Sequence, residues 1–253
     1  PVYWMMKRPP GTEFVSNHSK YGTVYRTGDA NEMLELIRRE KGLAYQTHPR
    51  TKGSMGYPDQ IKDTAHFLDP SYFGVGWKAM NSDLSSPRLG ERSLKLLDDM
   101  SNWGTKKRLL AEVDVFQLDH THELWAHMNI NYVRLPKLPS FDEYGTVLQA
   151  IAQGRFFLST GEVLLPEYSL HGSGAGLRVE ATIQHRFPLQ FAEVVWGDRD
   201  GQTQRKILPL TSSGQFEKKR YDWEIAAPEW KWARFAVWDV AANGAMTNPI
   251  WRQ

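Results

Sequence analysis

Near residue 162 the hydrophobic pattern of this chain changes period, and that change limits the folds open to it. Before it, apolar residues recur at helical spacing in some segments and form short unbroken runs in others. After it, apolar and polar residues alternate. A 3.6-residue period calls for an amphipathic helix, and a two-residue period for a strand with one buried face.

In the first part, Asp29 is a good N-cap for a helix running to Lys41, with Met33, Leu34 and Ile37 on one face and Gly42 just past its end. Segment 43–47 then reads as a buried strand, 73–80 as another, and 89–103 as a helix stopped by Gly104. Strands follow at 109–116 and 130–135, then a helix at 142–153 and a strand at 156–159. Such alternation predicts a mostly parallel sheet or barrel. Beyond Gly161, Leu177, Val179, Ala181 and Ile183 form one alternating stripe. Segments 191–196 and 234–240 look like further strands, with turn residues between them. The expectation is an α/β domain over 1–162 and a small antiparallel β-sandwich over 163–253.

With 253 residues, 41% hydrophobic and 24% charged, the chain can bury a substantial core. Its net charge of +2 is too small to argue for nucleic acid, and no apolar run approaches the roughly 18 residues of a membrane span. There is no cysteine, which excludes disulfides and thiolate chemistry. The chain opens at Pro1 and reads as a processed or truncated product; cytoplasm and periplasm both stay open, the latter if a leader was removed. Six of the ten tryptophans (Trp196, Trp223, Trp230, Trp232, Trp238 and Trp251) fall in the last third. They can stack on sugar rings or pack between two sheets.

The densest chemistry lies in LLAEVDVFQLDHTHE, 109–123, where an apolar run ends among Asp114, Asp119, His120, His122 and Glu123. In an extended segment His120 and His122 point to one side and could chelate one ion; in a polar loop one of them would pair with Asp119. Glu123 and His127 would share a helix face, which makes Glu123 a candidate base or ligand. Asp114 is a candidate ligand or water-orienting base, and otherwise a buried structural carboxylate. In KGLAYQTHPR, His48 ends a strand and Pro49 keeps the exit extended, so His48 is a candidate ligand for zinc, manganese or iron. Arg50 and Lys52 follow and could clamp an anionic substrate, or else lie in a solvated loop. His66, His171 and His185 are given no chemistry. No serine-hydrolase elbow, phosphate loop or dinucleotide fingerprint is present.

Three segments, EKGLAYQTHPR, NYVRLPKLPSFDEYGTVLQAIAQGRFFLSTGEV and AMTNPIW, together resemble the carbaryl-hydrolase-like branch of the PHP (polymerase and histidinol phosphatase) superfamily. The resemblance implies a distorted β/α barrel with an appended β-sandwich, and a divalent-metal site at the strand ends with His48 as a ligand. It also implies a weakened site: the family's first-strand His-X-His is missing, and Phe116 stands where a histidine is expected. An incomplete barrel would leave an exposed edge that favours a homo-oligomer. The functional expectation is a metal-dependent hydrolase of ester, phosphoester, amide or carbamate bonds in a small-molecule substrate. The alternative is a non-catalytic protein that recognises a sugar or peptide through aromatic side chains.

Overall fold

The computed structural model describes residues 2–4, 8, 10–47, 49–50, 58–77, 86–113, 129–174 and 176–252. The chain forms two compact units, Pro1–Tyr45 with Pro58–Phe73, and Gln46–Tyr57 with Gly74–Gln253. No helix among the described residues is long and apolar enough to cross a membrane.

In the first unit, strands β1 (Val2–Trp4), β2 (Val15–His18) and β3 (Gly22–Arg26) form a sheet in the order β1-β3-β2. Helix α1 (Ala30–Arg39) starts where its sequence signal lies, with the Asp29 carboxylate accepting the Glu32 N–H at 2.9 Å. That bond satisfies a donor with no acceptor inside the helix. Arg8 pairs with Glu32 at 2.5 Å beside the same end. Strand β4 (Ala44–Gln46) and the single turn α2 (Ala65–Leu68) follow, the latter with Phe67 fully buried.

In the second unit, helix α3 (Glu91–Asn102) connects β5 (Tyr72–Trp77) to β6 (Arg108–Ala111), and Gly74–Trp77 runs parallel to β6. Strand β7 (Ile130–Val133) leads through a 3-10 turn into helix α4 (Tyr144–Ala152) and strand β8 (Phe156–Ser159). Eight strands complete the chain: β9 (Val163–Ser173), β10 (Gly176–His185), β11 (Leu189–Gly197), β12 (Thr203–Pro209), β13 (Glu217–Ala226), β14 (Trp232–Asp239), β15 (Gly244–Thr247) and β16 (Ile250–Trp251).

Two antiparallel sheets result. One has the order β13-β10-β9; the other runs β12-β11-β14-β15-β8-β7, with β16 also on β14. They enclose one core, to which β10 contributes Leu177, Val179, Ala181 and Ile183, and β14 contributes Ala233, Phe235 and Val237. The intervening residues of β14, Trp232, Arg234 and Trp238, are equally buried on the opposite face. There α3 covers the sheet: Asp98 takes the Arg234 guanidinium at 2.6 and 2.9 Å, and Asn102 accepts the Trp232 indole N–H at 2.8 Å. Glu193, fully buried, accepts from Arg88 at 2.9 Å and from the Trp238 indole at 3.2 Å. Leu94, Leu97 and Met100 of α3 are buried on the helical period read from the sequence.

This architecture overturns the β/α barrel and with it the resemblance to the PHP superfamily. A β/α barrel needs parallel strands, each followed by a helix, closed on themselves. Here the described residues are 43% strand and 18% helix. Parallel ladders join β1 to β3 and β5 to β6, but β7 and β8 are antiparallel and continue into β15 and β14. The misreading has a physical source. All four residues of β8 are buried. An interior strand of an antiparallel sheet covered on both faces gives the same unbroken apolar run as a parallel barrel strand.

Candidate functional site

The structure bears unevenly on the residues singled out in the sequence. His48, Lys52, Asp114, His120, His122 and Glu123 lie outside the described residues. Arg50 is described: its backbone is left-handed (φ 56°), and its guanidinium pairs with Asp99 of α3 at 2.6 Å. Among the described residues no group of three or more His, Asp or Glu stands where it would hold a metal ion. With the barrel gone and no donor set among those residues, the description of this chain as a metal-binding hydrolase has no support and is withdrawn.

The tryptophans divide between two layers. Trp230 lies in the core between the sheets, and Trp196 and Trp223 pack against it. Trp232 and Trp238 face α3 instead, with their indole N–H groups bonded to Asn102 and Glu193. Trp251, on β16, lines a cavity.

A cavity opens between the edge strands of the two sheets, β7 of the larger and β9 of the smaller. It has a volume of about 710 Å³, well within the usual range for small-molecule sites. Its geometry follows from strand register. Val133 lies opposite Phe156, and Tyr132 opposite Phe157. Tyr132 and Phe157 therefore share a face, and their rings stack 4.9 Å apart at an interplanar angle of 6°. Tyr168 of β9 meets Phe157 edge-on at 6.2 Å, so three rings form the floor. Pro166 is tolerated in β9 because an edge strand has one side free of ladder bonds.

One step beyond the β7–β8 ladder, the Arg134 N–H donates to the Arg155 carbonyl at 2.8 Å. The alternation of side chains then puts both arginines on the face of Tyr132 and Phe157, and both line the cavity. Both are exposed, and neither has a carboxylate at ion-pair distance among the described residues. Like charges directly across a ladder repel. No Asp or Glu lines the cavity among the described residues. In the adjoining hollow of about 240 Å³, the acids are engaged: Glu180 with Arg220 at 3.0 Å and Glu167 with the Thr182 hydroxyl at 3.2 Å. Tyr168 donates its hydroxyl to the Phe156 carbonyl at 3.1 Å. Burial pushes that phenol's pKa up, and the nearby Arg134 charge draws it partly back.

The floor offers ring faces and the rim two guanidinium forks. Sugars and aryl groups stack on such faces, and carboxylates accept paired N–H bonds from such forks. Nothing in the one-dimensional pattern set Arg134 and Arg155 apart. The available signal was their pairing, which becomes visible once 130–133 is laid antiparallel to 156–159.

No protein-family model, no curated protein and no solved structure matches this chain.

Proposed function

We propose that this chain is a binding protein for a small carboxylate carried on a ring, held in the cavity between β7 and β9. The observation that carries this reading is the pair Arg134 and Arg155, side by side at the mouth of an aromatic-floored cavity without acids of its own among the described residues. A ligand carboxylate would relieve their mutual repulsion, and its ring would cover Tyr132, Phe157 and Tyr168. The reading keeps aromatic recognition of a sugar and adds a charge requirement.

Calorimetric titration with matched acid and neutral compounds tests it. Glucuronate against its methyl ester, and benzoate against benzamide, keep each ring and remove the charge. A charge-assisted hydrogen bond contributes about 1.5–3 kcal/mol, so at least one acid should bind about tenfold tighter than its neutral partner. A response to glucuronate alone identifies a sugar acid as the source of the carboxylate; a response to benzoate alone identifies an aryl acid. Equal affinity for acid and neutral forms, or no binding of either acid, would overturn the reading.

A further inference from the structure

The hollow of about 240 Å³ shares Arg134 and Tyr168 with the first cavity, so the two adjoin at those side chains. One wall of it is the outer face of the smaller sheet. Val179, Ala181 and Ile183 of β10 are core residues, so Glu180 and Thr182 between them face outward. Register sets Glu167 of β9 and Arg220 of β13 on either side of Thr182, and Ser169 beside Glu180. Most charges on this face are matched. Arg220 pairs with Glu180 at 3.0 Å, and Arg178 with Asp222 at 2.6 Å. Glu167 is the exception. Its one bond is from the Thr182 hydroxyl, a neutral donor, and no cation lies at ion-pair distance from it among the described residues. Glu167 is exposed and lines the hollow, so its carboxylate is open to a ligand. The ladder shifts register directly beyond it, where Leu165 and Pro166 together face Ile183. Such bulges re-aim side chains beside binding sites. Arg134 and Glu167 thus line one small hollow with opposite charges, outside ion-pair distance of each other. A ligand bearing only a carboxylate meets repulsion from Glu167, whereas one that also bears an ammonium group is matched at both.

We propose that the ligand is an aromatic α-amino acid, with its ring over Tyr132, Phe157 and Tyr168, its carboxylate on Arg134 and Arg155, and its ammonium group on Glu167. This inference rests on the reading of the first cavity and narrows it. An α-amino acid carries both charges on one carbon, which suits an acid and a base that line the same small hollow. Its ammonium group supplies the charged N–H donors that Glu167 lacks.

Calorimetry on the full chain compares phenylalanine with hydrocinnamate, which keeps the ring and the carboxylate and lacks the ammonium group. One charge-assisted contact more should make phenylalanine at least about tenfold tighter on the wild type. Glu167→Gln keeps an amide oxygen to accept from Thr182 and removes the charge. It should abolish the advantage of phenylalanine and leave hydrocinnamate unchanged or somewhat tighter. If this variant does not fold, the wild-type comparison decides. Equal binding of the two compounds, or an advantage that survives Glu167→Gln intact, overturns the amino-acid assignment, while hydrocinnamate binding leaves the first reading standing. Binding of neither compound also overturns the assignment, and the first reading is then decided by glucuronate and benzoate against their neutral partners.

Discussion

Replacing Asp98 with alanine lowers the unfolding free energy by about 3–5 kcal/mol, because it strands a buried charge. Arg234 is 0% exposed and its guanidinium is held by the two oxygens of Asp98, at 2.6 and 2.9 Å. Its remaining terminal nitrogen has no acceptor among the described residues. The nearby acid, Glu193, is already engaged by Arg88 at 2.9 Å and Arg205 at 3.3 Å. Burial pushes the Asp98 carboxyl pKa up, and the Arg234 charge beside it opposes that shift. Removing both charges together, Asp98→Leu with Arg234→Met, fills similar volume without leaving a bare ion and should recover most of the loss. Urea denaturation of the single and double variants measures this. A loss under about 1 kcal/mol for Asp98→Ala is what an exposed pair would show, and would mean that α3 does not seal this face of the sheet.

The second large effect falls on binding and leaves the fold intact. Substituting Arg134 and Arg155 together with alanine should weaken the acid that binds by at least about 100-fold, each guanidinium contributing about 1.5–3 kcal/mol. Wild-type affinity should fall as salt rises, and the double variant should lose most of that dependence. Stability should move the other way. A like-charge pair across a ladder is unfavourable by about 0.2–1 kcal/mol, so either single substitution should leave the melting temperature unchanged or raise it slightly. Residues that serve the fold lose stability when removed; residues kept for a ligand need not. Binding unaffected by the double substitution, or stability and binding falling together, would assign these arginines to the fold.

The local elements were legible where one chain segment carries the whole signal. Asp29 marks the start of α1, and its carboxylate caps that helix. Leu94, Leu97 and Met100 show the buried face of α3, with Gly104 two residues beyond its end. The stripe Leu177, Val179, Ala181 and Ile183 is the core face of β10. What the sequence could not carry was partnership. Residues 130–133 and 156–159 read as strands in either setting, and only register makes them antiparallel neighbours in a sheet that runs on into β15 and β14. The candidate site is a product of that register. Arg134 and Arg155 are unremarkable loop-edge arginines until the ladder sets them opposite each other. The tryptophan-rich final third allowed two readings, and the structure divides it by face: Trp230 lies in the core, Trp232 and Trp238 lie under α3, and Trp251 lies against a cavity. The histidine and carboxylate cluster of 114–123 lies outside the described residues.

The most direct test of the ligand groove is an amide correlation spectrum of the isotopically labelled chain, titrated with glucuronate and, separately, with benzoate. Binding between β7 and β9 should shift the backbone amides of 132–135, 153–157 and 165–168, except those of prolines, and leave β11 and β12 on the far side of the larger sheet unmoved. Shifts concentrated at 189–209, or a spectrum unchanged by an excess of either acid, would contradict the account.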